Sequence, residues 1–323
     1  MNLMNMGRFG LLPLLAGAVA CSDMDPGDDT FSTVYPNLAQ AGRGGSEPVG
    51  NAGSGGSAGS DNSGGSANEP PDLPTQWACL DEPAPTFQLP TPPPATVNYI
   101  VPIADFLDIV PVPGLQVKLC RSVECADGTA LTLTQIDPMR PVLYLLQLPY
   151  NPNTLPYLQL SAEGYVTMDY YFGGPIVGNP NPDATMFVGQ IIPMLKVGVL
   201  DGLLSDVGAP SPADPAKGVI AGRTLDCSGQ RAAGVYVEST QELPTGAVPW
   251  SLSNNNVAFP GRVPTDARGV AGFANVPPGA FAVRGVVPVD GDEGVEFGDH
   301  VMRVKAGVIT LGEVRRGIGT FGQ

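Results

Sequence analysis

Hydrophobic positions along this chain recur mostly with the two-residue period of a strand that buries one face. Leu115, Val117 and Leu119 alternate with Gln116 and Lys118, and Phe281 and Val283 alternate with Ala282 and Arg284. Successive side chains leave opposite faces of a pleated strand, so this alternation predicts half-buried β-structure. Similar short runs fall at residues 97–101, 131–134, 142–148, 157–160, 218–223, 233–237, 272–276, 301–305 and 308–311, separated by Pro, Gly, Asn and Asp. Short strands punctuated by turn residues are the pattern of sandwiches.

One stretch changes period. Leu195, Val199, Leu203 and Val207 recur every four residues, and Leu200 and Leu204 widen the stripe. Pro193 suits the first position of a helix and Gly208 the residue just past its end. A short helix is expected there, packed over the junction between two β regions.

Composition sharpens the class. With 42 Gly and 35 Pro in 323 residues, long helices are disfavoured and turn-rich, all-β structure is favoured. The expected organisation is a first β region over 77–208 that ends in the helix, a Pro-rich linker over 209–215, and a second β region over 216–323. Residues 22–76 are rich in Gly, Ser, Asn and Asp, and cannot bury enough surface to offset the entropy of ordering. They read as a disordered tether with an r.m.s. reach of roughly 40 Å.

Ahead of the tether, Arg8 precedes an apolar run over 9–20 that ends at Ala18-Val19-Ala20-Cys21. The run is too short to span a bilayer, which takes about 20 apolar residues, and has the length of a signal-peptide core. Small residues ahead of a cysteine resemble the lipobox of bacterial lipoproteins, with Ala18 where that family prefers Leu. The resemblance implies a signal peptide over 1–20, lipidation at Cys21, and anchoring by several acyl chains, which hold where a single chain does not. Ser22 then favours the outer membrane over the inner. A plain secretory cleavage near Ala20 is the competing reading.

Four cysteines remain: Cys79, Cys120, Cys125 and Cys227. An even number in an exported chain suggests two disulfides. Cys120 and Cys125 enclose four residues, a length suited to a hairpin loop. That pairing leaves Cys79 for Cys227, a bridge that would clamp the two regions together. The other two connectivities stay open.

The second region carries a recognisable series: Gly218-Val219-Ile220-Ala221-Gly222-Arg223, the turn Asp226-Cys227-Ser228-Gly229, Gly234-Val235-Tyr236-Val237, Thr265-Asp266-Ala267-Arg268-Gly269, and Phe273-Ala274-Asn275-Val276-Pro277-Pro278-Gly279. Over about 216–314 this resembles the carboxypeptidase regulatory-like (transthyretin-like) domain, which implies a seven-stranded β-sandwich. Gly114-Leu115-Gln116-Val117 and Leu145-Leu146-Gln147-Leu148-Pro149 echo it, implying a diverged first copy and hence tandem sandwiches. Signal, tether and paired sandwiches together resemble bacterial envelope lipoproteins.

The chemistry-bearing residues are sparse. A net charge of −15 argues against nucleic acid and anionic headgroups as partners. His300 is the single histidine, so zinc sites built on two His and a Glu, and iron sites built on two Tyr and two His, are not supplied. A Ser-His-Asp triad would have to use His300, and no Gly-x-Ser-x-Gly elbow is present. His300 beside Asp299 is expected at the surface. Asp290, Asp292, Glu293 and Asp299 are the candidate calcium ligands, although they lack the Asp-x-Asp-x-Asp-Gly order of a dedicated loop. An exposed acidic hairpin is the expectation there, and no cofactor is expected.

These features point to a non-catalytic, monomeric envelope protein, held to the membrane through its N-terminal lipid and presenting sandwiches to an envelope protein or glycan. An accessory subunit of a separate envelope enzyme or secretion complex, and a metal-dependent hydrolase, are the alternatives.

Overall fold

A computed structural model of the chain describes residues 74–82, 95–149, 156–172, 186–187, 191–289 and 294–316. Cys21, the tether up to residue 73, and Asp290, Asp292 and Glu293 lie outside the described residues. The described chain is nearly all β. A 3-10 turn over Thr75–Asp81 leads to β1 Thr96–Asp105, β2 Gln116–Cys120, β3 Thr129–Ala130, β4 Thr134–Gln135, β5 Leu143–Pro149, β6 Tyr157–Ser161, β7 Thr167–Tyr171, β8 Met186–Phe187 and β9 Ile192–Met194. Helix α1 spans Val197–Asp206. Then follow β10 Gly218–Thr224, β11 Tyr236–Ser239, β12 Val248–Leu252, β13 Ala258–Pro260, β14 Val270–Val276, β15 Gly279–Val287, β16 Val295–Val304 and β17 Val308–Val314.

The strands make two sandwiches that share a sheet. Nine strands run β13-β12-β14-β10-β17-β7-β6-β2-β3, so strands of the second β region continue directly into strands of the first. The joint is the parallel pair β17–β7, in register from Val308 opposite Thr167 to Leu311 opposite Tyr170. A five-stranded sheet of β4, β5, β1, β8 and β9 and a three-stranded sheet β11-β15-β16 complete the layers.

Pleating places these smaller sheets on opposite faces of the long one. Met168, Tyr170, Ile309, Leu311, Val219 and Ala221 share one face, and they join Val101, Ile103, Leu146 and Leu148 of the five-stranded sheet in a single core. Ile220 and Phe273 face the other way and pack with Phe281, Val283, Phe297 and Met302 beneath the three-stranded sheet. Thr310 and Asp169 lie on that same rung as Ile220 and face the same way; Thr310 of β17 lies beneath β16, its hydroxyl donating to Arg303 O at 2.9 Å, and Asp169 of β7 lies just across the joint.

Helix α1 starts later than its sequence suggests. Pro193 is not its first residue but sits in β9, opposite Ala104. Ile192 and Met194 are fully buried there, and the apolar surface they gain by extending along β1 outweighs the preference of Pro for a helix start. The C-terminal end is as expected. Gly208 has φ +71°, its N–H donates to Ser205 O at 3.1 Å, and Ala209 N–H donates to Leu204 O at 2.9 Å. That double bond pattern is a Schellman cap. Leu200, Leu204 and Val207 are the buried stripe, lying on the core that spans both sandwiches.

Two further expectations change. Residues 131–133 are not strand; only Thr129–Ala130 and Thr134–Gln135 pair. Leu131 and Leu133 still pack at the edge of the core, and Leu131 N–H adds one last bond to Val117 O of β2 at 2.9 Å before the chain leaves the ladder. His300 is fully buried rather than at the surface. A register shift in the β15–β16 ladder, where Gly298 sits at φ +64°, turns both Phe297 and His300 inward although they are three residues apart. Asp299 stays exposed.

Candidate functional site

Polar groups concentrate where the two sandwiches meet, and they do so on both faces of the shared sheet. On the face toward the five-stranded sheet, Tyr170 Oη of β7 donates to Glu313 Oε1 of β17 at 2.9 Å. Arg223 of β10 donates from Nη2 to Ile191 O at 2.7 Å. Burial drives the Tyr170 phenol well above its ordinary range, reinforced by the neighbouring Glu313 carboxylate, so this oxygen acts as a donor.

On the opposite face, Lys305, just past β16, reaches across to β7. Its Nζ lies 2.6 Å from Asp169 Oδ2, with the Asp169 side chain fully buried. The same Nζ donates to Tyr157 Oη at 2.7 Å, and Gln159 Nε2 donates to Asp169 Oδ1 at 3.2 Å. Burial pushes the Asp169 carboxyl up, and Lys305 and Gln159 oppose that push. Tyr157 and Tyr171 stack with centroids 5.0 Å apart, and burial followed by the Asp169 charge raises both phenols. Tyr157 Oη also donates to Ser122 O and Val123 O at 3.0 Å each, which pins the loop closed by Cys120–Cys125 onto the same cluster.

The disulfides form as Cys79–Cys227 and Cys120–Cys125. Cys125 lies in the turn after β2, at φ +54°, not across the ladder from Cys120. Cys79 belongs to the 3-10 turn, whose Trp77 is buried in the second sandwich 4.9 Å from Phe297. The bridge therefore fixes the segment ahead of the first sandwich onto the second one, and Cys227 N–H donates to Gln76 O at 3.2 Å beside it.

A third polar centre sits at the far end of β1. Asp105 is 1% exposed. Its Oδ2 accepts from Tyr165 Oη at 2.7 Å and faces Lys196 Nζ at 3.0 Å, while Oδ1 accepts from the N–H groups of Leu107 and Asp108 at 2.9 and 3.2 Å. Burial opposes its ionisation, but those donors prevail and hold its pKa down at about 2. In turn, the bond to Asp105 raises the Lys196 ammonium. The carboxylate thus organises three segments: the exit from β1, the turn before β7 and the start of α1.

Of the residues singled out in the sequence, the structure brings together only the cysteines. His300 Nε2 accepts from Arg315 N–H at 3.4 Å, and burial lowers its pKa to about 4. Asp299, the one candidate calcium ligand within the described residues, is exposed. No group of three or more His, Cys, Asp or Glu able to hold a metal occurs among the described residues. No helix of the described residues is long and apolar enough to cross a membrane. Asp169, Lys305, Tyr157 and Asp105 were not legible as a site, although Asp169 between apolar and aromatic strand residues is the kind of charge that demands a partner.

No protein-family model matches the chain, and no curated protein matches it. Among solved structures, the Bacillus anthracis TIE protein aligns at 13% identity over 68% of this chain, with a TM-score of 0.22. The chain spans only 34% of that protein's length. A streptococcal ancillary pilin aligns at 13% identity over 68% of each chain, TM-score 0.20. A mutant of the shaft pilin SpaA from Lactobacillus rhamnosus GG aligns at 9% identity over 67% of this chain and 96% of its own, TM-score 0.22. Similarity at this level bears on neither the ligand nor the activity of this chain.

Proposed function

We propose that this chain is a non-catalytic, lipid-anchored surface protein that holds two β-sandwiches in a fixed relation and presents them to another envelope component. The observation that carries this reading is the continuous nine-stranded sheet, in which β17 of one sandwich pairs directly with β7 of the other. Separate binding modules on a chain need no shared sheet; a shared sheet fixes their spacing and angle, as presentation of one composite surface requires. The polar groups at the joint are spent on each other, since Asp169, Lys305, Tyr170 and Glu313 all bond across it.

The residues over 216–314 are read as a carboxypeptidase regulatory-like sandwich. Its support is that Asp226–Gly229, Thr265–Gly269 and Pro277–Gly279 all fall at chain reversals, with Gly229 and Gly269 at positive φ. The units proposed are a first sandwich within 77–208, whose leading turn packs on the second, and a second within 216–323, with the tether from 22 ending ahead of that turn, Cys21 as acylated anchor, and the outer membrane as the site of attachment.

Cross-linking in the producing cells, followed by mass spectrometry, tests the role, and the intact mass of the purified protein tests the anchor. Diacylation at Cys21 and stoichiometric links to an envelope protein, or retention on an envelope glycan, are expected. Turnover of a peptide or ester that one point substitution abolishes would replace this reading with an enzyme.

A further inference from the structure

The loop that leaves β1 exposes aliphatic side chains on a backbone that is held rigidly. Leu107, Ile109 and Val110 are 51, 47 and 46% exposed, three large apolar residues within four positions. Ile109 has φ +52°, a left-handed conformation that a β-branched residue adopts only under constraint. The constraint is visible. Asp105 N–H donates to Val110 O at 2.9 Å and Ile109 N–H donates to Asp105 O at 3.1 Å, while the Asp105 carboxylate takes the two amides between them. Val197, next to the lysine that grips Asp105, adds a further apolar side chain at 51% exposure.

Its position on the body is equally defined. Asp105 lies at the β9 end of β1, beside Tyr165 and hence beside the start of β7. Strands β7, β17 and β10 run parallel, so their starts lie together at that end. Cys227 follows the other end of β10, three residues past Thr224, and holds Cys79 there. The apolar tip and the entry of the N-terminal chain are therefore at opposite poles.

We infer that the tip formed by Leu107, Ile109 and Val110 is the docking surface for a partner protein, whose complement is an apolar pocket with a basic rim. The inference rests on the display role proposed above. Charge complementarity selects this occupant. Asp108 is 62% exposed at the tip on a chain of net charge −15, and the cation at the tip, Lys196, is bound to Asp105 and Asp108. Loops that enter lipid surround their apolar residues with Lys, Arg, Trp or Tyr that reach the headgroups, whereas Lys196 and Tyr165, the cation and aromatic beside this tip among the described residues, are both bonded to Asp105.

The test places a benzophenone amino acid at position 109 of the full-length protein in the producing cells, with a second label at exposed Gln116 on the polar face. An adduct at 109 to one protein, mapped to an apolar surface flanked by Lys or Arg, is expected. Leu107→Asp with Val110→Asp should reduce it about tenfold or more, since each buried aliphatic side chain contributes roughly that factor or above. The melting temperature of that variant should be unchanged, because the replaced side chains are half exposed. Adducts to lipid, adducts to a second copy of the chain, or no adduct at 109 would each overturn the inference. A protein adduct at Gln116 alone would leave the display role standing with a different surface; adducts at neither position would count against the display role as well.

Discussion

Lys305 Nζ and Asp169 Oδ2 stand 2.6 Å apart across the joint between the two sandwiches, one just past β16 and the other fully buried in β7. The pair lies on the opposite face of the sheet from the bond between Tyr170 and Glu313. Parallel pairing at a single strand edge would leave a hinge about the strand axis. Polar links on both faces remove it, because rotation in either direction stretches one of them. What the pair contributes is a fixed angle more than net stability, since desolvating two charges costs about as much as their attraction returns.

Breaking the pair should cost more than deleting it. Lys305→Met strands a buried carboxylate, which is expected to lower stability by about 3–4 kcal/mol. Lys305→Met combined with Asp169→Leu should recover most of that loss. Urea unfolding of the parent chain and the two variants measures the difference. Equal losses in the single and double variants would mean the charge is already compensated by other groups.

The disulfides should differ in worth. By the chain-entropy relation, closing the loop between Cys79 and Cys227, 148 residues apart, restricts the unfolded chain by about 5 kcal/mol; closing Cys120 to Cys125, 5 apart, restricts it by about 2 kcal/mol. Calorimetry of Cys79→Ser with Cys227→Ser, against Cys120→Ser with Cys125→Ser, should therefore show the larger fall in melting temperature for the first. The reverse order would show that Trp77 holds the N-terminal turn in place without the bridge.

Local periodicity was legible wherever one strand met one core. Val117 and Leu119 face inward and Gln116 and Lys118 outward, as their alternation requires. Gly208 marks the end of the helix because only the end needs a left-handed residue there. Pro193 misled, since the same residue suits a helix start and an extended edge, and only the neighbouring strand decides. The joint was invisible for a related reason. Parallel pairing of β17 with β7 unites distant segments, and neither segment carries a mark of which edge it will meet. The Asp169 cluster is equally long-range, and Asp105, though its turn amides are local, takes Tyr165 and Lys196 from segments that its own sequence neighbours do not indicate.

Gly272 tests the closeness of β10 and β14. A Cβ at this position would lie 1.9 Å from Ile220 O and 2.8 Å from Ile220 C, both backbone atoms that cannot swing aside. Gly272→Ala should thus destabilise by about 3 kcal/mol or more, through displacement of a central strand. Gly208→Ala, with open space around it, should cost only about 1 kcal/mol, from the left-handed backbone alone. Thermal unfolding of both variants separates crowding from backbone strain. Similar losses would indicate that the β10–β14 ladder yields.

The pH dependence of stability should carry the signature of His300. Burial lowers its pKa to about 4 in the folded chain, against about 6.5 when unfolded. Between those values the unfolded state binds the extra proton, so acid favours unfolding there. The contribution is complete above about pH 6.5, declines as pH falls, and reaches its limit near pH 4, with a total of about 3 kcal/mol. Acidic side chains superimpose their own slope, which a variant lacking only the imidazole shares. His300→Gln can still accept from Arg315 N–H but does not titrate. From pH 7 to pH 4.5 the parent chain should lose about 2 kcal/mol more than this variant in denaturant unfolding. Parallel curves would mean that His300 is reached by water or proton in the folded state, and that the inward turn of β16 at Gly298 is looser than its geometry implies.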